Sequence, residues 1–273
     1  FALTKEVKRA TVHIAGMGLY ELFINGQRIG EQVLAPAPTD YRKTILYNTY
    51  DVTPQLRKEN AIGVILGNGR FYTMRQNYKP YKIPTFGYPK LRLNLIVEYT
   101  DGSRQTIASD ISWKLTTEGP IRSNNEYDGE EYDARKELGD WNRTGYDDTN
   151  WISAQRVSIP SGTLRAQMIP GMKVTESLKP VSIRKQGGKH ILDIGQNMAG
   201  WLRIRIKGQA GDSIRLRFAE RLQPDGEIFT KNLRDAHCTD IYVVSGREPQ
   251  DATWAPRFVY HGFRYVEISG YPN

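Results

Sequence analysis

The stretch SNNEYDGEEYDAR, residues 123–135, carries Glu126, Asp128, Glu130, Glu131 and Asp133. Carboxylates this dense can act as general acid and base, hold a hard cation, or line a solvated turn. In an extended strand Asp128 and Glu130 share a face, with α-carbons roughly 6.5 Å apart. That coincides with the lower end of the carboxyl separation in inverting glycosidases, about 6.5–9.5 Å. Backbone spacing is not carboxyl spacing, however, and such pairs flank a sugar from opposite sides. The order D-G-E-E-Y-D also lacks the alternating Asp/Asn ligands of an EF-hand loop. Asp128-Gly129 suits a tight turn, and Arg135 can balance a neighbouring acid.

Other chemistry-bearing residues are sparse. The histidines are His13, His190, His237 and His261, and none forms an HExxH or other close ligand pair. His13 and His190 sit in strand-like runs; His261, within FVYHGFRYVEI, reads as a structural hydrogen-bonding residue among aromatics. Cys238 is the single cysteine, so an intrachain disulfide and a Cys-rich zinc site are both excluded. No base partner for it is identifiable, and there is no GxSxG elbow. GNGRFY, residues 67–72, has too few glycines for a phosphate loop. The positive signal is aromatic. Residues 67–89 bring together Asn68, Arg70, Tyr72, Asn77 and Tyr78 with further rings. Sugars present apolar C–H faces and hydroxyl rings, which aromatic platforms and amide or guanidinium groups match. Long loops on rigid scaffolds often carry binding. The competing reading is a loop pinned to its scaffold by its own rings.

The elements that position these residues are strands. Leu91, Leu93, Leu95, Val97 and Tyr99 alternate with Arg92, Asn94 and Glu98. Asp101-Gly102 then supplies a tight turn, with Thr106 to Leu115 expected as the returning strand. Asn25-Gly26 gives a second hairpin. Ile214, Leu216 and Phe218 alternate with Arg215 and Arg217, and helical periodicity is nearly absent. Many short strands punctuated by Gly and Pro predict an all-β fold of two consecutive antiparallel β-sandwiches. A length of 273 residues also suggests two domains. The run from Ser158 to Lys179, with Pro160 and Pro170, should cross between them, placing the domains at 1–175 and 176–273.

No apolar run approaches the roughly 18 residues a membrane helix needs. The opening FALTKEVKRATVHI is no signal peptide and reads as a strand entered partway along a longer chain. The composition fits a soluble protein and leaves cytoplasm, periplasm and secretion open. The net charge of +8 is spread among acids rather than blocked on one element, which argues against nucleic acid. An acidic polysaccharide is the better candidate for long-range attraction, and a solvated basic face needs no partner at all.

Seven motifs in order carry a resemblance. They are GLYELFINGQRIG (18–30), LAPAPTDYRKTILYNTYDVT (34–53), ENAIGVILGNG (59–69), YDGEEYDAR (127–135), DIGQNMAGWLRIRIKG (193–208), LRFAERLQPDGEIFTKNLR (216–234) and FVYHGFRYVEISGY (258–271). The chain resembles the N-terminal, non-catalytic β-sandwich region of bacterial α-L-rhamnosidases of glycoside hydrolase family 78. The resemblance implies a galactose-binding-like jelly roll followed by a concanavalin-like sandwich. It further implies an (α/α)6 barrel elsewhere in a parent chain, holding the catalytic acid and base. That parent would hydrolyse terminal α-L-rhamnose with inversion, these residues alone being inactive and supplying no catalytic group. The partners implied are a rhamnose-containing glycan and the barrel, and the alternative is a stand-alone lectin-like protein. Some relatives of the first domain bind rhamnose through calcium. By that analogy Asp40 and Asn77 would be ligands, and Asp40 and Tyr41 would join the carbohydrate-binding set. Arg70 and Phe71 stand where the family usually has a Trp-Tyr pair. Asp128, Glu130, Glu131 and Asp133 then read as an interface toward the barrel.

Overall fold

The computed structural model describes residues 1–73 and 85–272. In chain order the strands begin with β1 (Val7–Met17), β2 (Leu19–Ile24), β3 (Gln27–Arg28), β4 (Thr44–Asp51), β5 (Ile62–Gly67), β6 (Lys90–Tyr99), β7 (Arg104–Ala108) and β8 (Lys114–Leu115). Next come β9 (Ile121–Asn125), β10 (Gly129–Asp133), β11 (Ile152–Ser153) and β12 (Thr163–Ala166). The remainder holds β13 (Ser182–Gln186), β14 (Lys189–Gly200), β15 (Ile204–Arg205), β16 (Ser213–Ala219), β17 (Arg221–Leu222), β18 (Ile228–Phe229), β19 (Thr239–Val243), β20 (Thr253–Trp254) and β21 (His261–Ser269). Short 3-10 turns interrupt the strands, and no helix among the described residues is long and apolar enough to cross a membrane. The fold is all-β, as the alternation predicts.

The chain forms two compact units. In unit 1 a five-stranded sheet, β12-β4-β1-β6-β7, and a three-stranded sheet, β3-β2-β5, share one apolar core. Val12 lies opposite Leu95 and Ile14 opposite Leu93 across the β1–β6 ladder, and all four are fully buried. Period-two alternation aims these side chains at Tyr20, Leu22 and Ile24 of β2. The Asn25-Gly26 hairpin forms, with φ of 52° and 83° at its two turn residues. The return from Asp101-Gly102 is shorter than expected. β7 stops at Ala108, because the Asp110 carboxylate accepts from the backbone N–H (2.8 Å) and hydroxyl (2.6 Å) of Ser112 and turns the chain. Only Lys114 and Leu115 resume as strand, paired with β11.

Unit 2 is built on a seven-stranded sheet, β13-β14-β21-β16-β19-β10-β9. Ile214, Leu216 and Phe218 of β16 are fully buried against Phe263 and Val266 of β21. The two compact units are not contiguous in sequence. Their main break falls after Val174, but Glu118–Glu137 belongs to unit 2. The reason is β10, which runs parallel to β19 with Glu131 opposite Ile241 and Asp133 opposite Val243. A second parallel pair, β12 with β4, also departs from an antiparallel scheme and places a short strand inside the Pro-rich segment.

Candidate functional site

The acidic cluster folds as a hairpin, β9 to β10, with Gly129 opposite Asn125. Gly129 has φ of 107°, and a Cβ there would lie 2.0 Å from the Thr239 carbonyl oxygen, so only glycine permits this approach to β19. The carboxylates then go to separate internal tasks. Asp128 accepts the His237 backbone N–H at 3.1 Å. Asp133 takes a bidentate bond from Arg135 (Nε 2.8 Å, Nη2 2.8 Å) and caps the following turn through the Arg135 N–H. Glu130, 1% exposed, accepts the backbone N–H groups of Arg257 (3.0 Å) and Phe258 (3.0 Å). Burial outweighs those two donors and pushes its carboxyl up to about 8.

The expected interface is therefore corrected in part. Glu130 and Asp133 are buried within unit 2 and Asp128 is half-buried, leaving Glu131 as the exposed member.

Beside Glu130 lies a constellation that sequence reading missed. Asp240 Oδ1 accepts from the Glu130 backbone N–H at 3.0 Å and pairs with His261 Nε2 at 3.0 Å. The other ring nitrogen, His261 Nδ1, is 3.4 Å from Cys238 Sγ. Cys238 thus has an imidazole partner after all, brought from a different strand. Phe218 stacks on the His261 ring at 4.1 Å between centroids. Burial opposes protonation of His261, but Asp240 and Cys238 prevail and raise it to about 9. The order Cys–His–Asp matches a hydrolase relay, yet the imidazole is 3% exposed and lies under Phe218. The arrangement works as a structural network, and the structural reading of His261 stands.

In unit 1 the described members of the predicted sugar-contact set go to separate places. Tyr41 is 3% exposed and packs edge-on against Phe71 (4.9 Å) and Phe86 (5.5 Å), so it is core rather than a platform. Asp40 gives both carboxylate oxygens to Arg42, at 2.9 and 3.1 Å, which puts a guanidinium where a calcium ion would need those oxygens. Asn77, its proposed co-ligand, and Tyr78 lie outside the described residues. Among the described residues no group of three His, Cys, Asp or Glu is placed to hold a metal. Asn68 turns the chain, its carbonyl accepting from Phe71 and Tyr72 N–H at 3.2 Å each. Arg70 is exposed, and Tyr72 stacks on the 75% exposed Tyr88 at 5.0 Å.

Tyr88 sits on the rim of a broad groove of about 1310 Å³ confined to unit 1. Half-buried Trp113, Trp141, Tyr146 and Trp151 line it. Trp141 and Trp151 stack at 6.4 Å and 26°, and Tyr146 meets Trp151 edge-on at 5.7 Å. The Trp113 indole donates to the Ala108 carbonyl at 3.0 Å, which fixes its ring. Asn94 of β6 and Arg143 add polar groups. An aromatic wall with a polar fringe can take the C–H face and hydroxyls of a sugar. The sequence signal was available: WNRTGYDDTNW, residues 141–151, holds three rings in one loop.

Comparison with known proteins agrees with this architecture. The profile of the alpha-L-rhamnosidase N-terminal domain matches residues 5–176, and that of the bacterial alpha-L-rhamnosidase concanavalin-like domain matches 183–273. An alpha-L-rhamnosidase of Streptomyces avermitilis is 42% identical over 281 residues, covering 98% of this chain and 26% of that protein. The structure of the alpha-L-rhamnosidase from Dictyoglumus thermophilum superposes with a TM-score of 0.93 at 44% identity, over 100% of this chain and 30% of that one. The S. avermitilis enzyme complexed with L-rhamnose gives 0.93 at 39% identity, over 100% and 26%. The chain spans under a third of the length of each of these relatives. It belongs to the α-L-rhamnosidase family, whose N-terminal and concanavalin-like domains account for nearly all of its residues.

Proposed function

We propose that these two domains are the non-catalytic, glycan-contacting region of an α-L-rhamnosidase whose full-length form hydrolyses terminal α-L-rhamnose with inversion. The catalytic barrel is a separate part of that parent chain and the domains' principal partner. One observation carries the non-catalytic reading. In the densest acidic cluster, Asp128, Glu130 and Asp133 are each committed to bonds inside unit 2, so none is left to flank a glycosidic bond. The test is release of nitrophenol from an aryl α-L-rhamnoside by this chain alone. No release is expected; turnover abolished by Glu131→Gln or Asp128→Asn would overturn the proposal.

The glycan-contacting part rests on the unit 1 groove, to which Tyr88 of the 67–89 stretch belongs. Its indole rings suit a sugar face, with Trp113 held by the Ala108 carbonyl and Trp141 stacked on Trp151. A stand-alone lectin-like role draws on the same groove. Titration with a neutral rhamno-oligosaccharide, followed by tryptophan fluorescence, reports contact with these rings. An unchanged spectrum at millimolar sugar would remove the groove from the proposal.

A further inference from the structure

The same groove carries an unbalanced charge. Its lining cations are Lys90, Arg92, Lys114, Arg143 and Arg156, against the acids Asp110 and Asp148. Some of these charges are already occupied. Lys90 Nζ donates to the carbonyls of Phe86 and Tyr88 at 3.2 Å each, and Arg143 pairs with Asp140 at 3.0 Å. The Asp110 carboxylate serves Ser112. Arg92, Lys114 and Arg156 are exposed and form no salt bridge among the described residues, although Arg156 is close enough to help lower the Asp110 carboxyl.

Position gives these charges a purpose. Arg92 and Asn94 are two residues apart on β6, so they stand on the same face, opposite to that of buried Leu93 and Leu95. Arg156 is held beside the aromatic wall, because the Ala154 N–H donates to the Trp113 carbonyl at 2.8 Å. Guanidinium groups over a concave surface, beside indole faces, attract an anion and hold a carboxylate through two parallel N–H bonds.

We propose that the unit 1 groove binds a uronate-bearing glycan, with Arg92 and Arg156 taking the sugar carboxylate and Trp151 its ring face. This rests on the glycan-contacting reading above and adds the charge of the ligand to it. The groove also exposes Ile152 (62%), which an apolar protein surface or a second copy of the chain would cover instead. The excess of lining cations over acids, with Arg92, Lys114 and Arg156 all exposed, favours the acidic sugar.

The experiment compares an oligogalacturonate with a neutral rhamno-oligosaccharide of equal length by calorimetry, at low and high salt. The uronate should bind at least roughly tenfold more tightly, and lose most of that advantage as salt rises from about 20 to about 300 mM. Arg92→Gln with Arg156→Gln should bring uronate affinity down to that of the neutral sugar. Both arginines are exposed, so the variant should fold, as circular dichroism would confirm. Equal affinity for the two sugars, or uronate binding untouched by the double variant, would overturn the uronate proposal and leave the glycan reading intact. Binding of neither sugar would overturn both. Self-association weakened by Ile152→Asp, with no uronate binding, would assign the groove to a second copy.

Discussion

His261 Nε2 lies 3.0 Å from Asp240 Oδ1 inside unit 2, with both side chains almost wholly excluded from solvent. Asp240 Oδ1 also accepts the Glu130 N–H, so one carboxylate oxygen joins β10, β19 and β21. The second oxygen, Oδ2, is buried without a hydrogen-bond partner among the described residues. The carboxylate therefore depends on His261 for its compensation, and the pair should behave as a single element of stability.

Removing one member should cost more than removing a surface ion pair. His261→Ala would leave Asp240 buried and uncompensated, a change worth about 3–5 kcal/mol for a buried pair. Urea unfolding followed at Trp254, which belongs to the unit 2 core, measures it. A loss below about 1 kcal/mol, the range of exposed pairs, would show that the network is dispensable.

The same cluster sets a pH dependence. Glu130 moves from 4.5 unfolded to about 8 in the fold, and His261 from 6.5 to about 9. Both bind their protons more tightly when folded. Each contribution is complete below its unfolded value and is lost as pH rises through its folded value. Unit 2 should thus lose stability from about pH 4.5 to about pH 9. Asp133 and Asp193, held low chiefly by Arg135 and Arg264, act in the opposite sense and weaken the fold in strong acid. Glu130→Gln should flatten the limb between pH 4.5 and 8 in a series of Tm measurements; an unchanged slope counts against the assignment.

Gly63 of β5 is where the groove meets its scaffold. A Cβ at this position would fall 2.5 Å from the Trp141 ring, so the indole can lie on the strand only above glycine. Gly63→Ala should displace Trp141, destabilise unit 1 by about 1–3 kcal/mol as overpacking does, and shift the tryptophan emission. The sugar titration should weaken in parallel. A variant with native emission and native sugar binding would show that Trp141 is not part of the wall.

Calcium gives a fourth expectation. Because Arg42 occupies both Asp40 oxygens, millimolar calcium should leave Tm unchanged in wild type and in Asp40→Asn. A rise confined to wild type would reinstate Asp40 as a ligand.

Much of the fold was legible because strand burial has a period of two. Leu93, Leu95 and Val97, and again Ile214, Leu216 and Phe218, point inward as their alternation requires. The Asn25-Gly26 turn was legible because local backbone chemistry decides it. The 123–135 cluster was visible as a density of acids, and the local Asp133–Arg135 pair was legible in it, but the use of Asp128 and Glu130 was not, since their partners lie at a distance that local pattern cannot encode. The bond from the Glu130 N–H to Asp240 spans 110 positions.

Sequence by itself determined the all-β class, the hairpins, the scarcity of catalytic signatures and, through seven ordered motifs, the family. Only tertiary structure decided that β9 and β10 join unit 2, that Tyr41 is core, and that Cys238, His261 and Asp240 meet. It also gathered Trp113, Trp141 and Trp151 with Arg92, Arg143 and Arg156 around one groove. The physical reason is shared by all four. Hydrophobic alternation specifies which side of a strand is buried, whereas the identity of the neighbour depends on which distant strand the ladder selects.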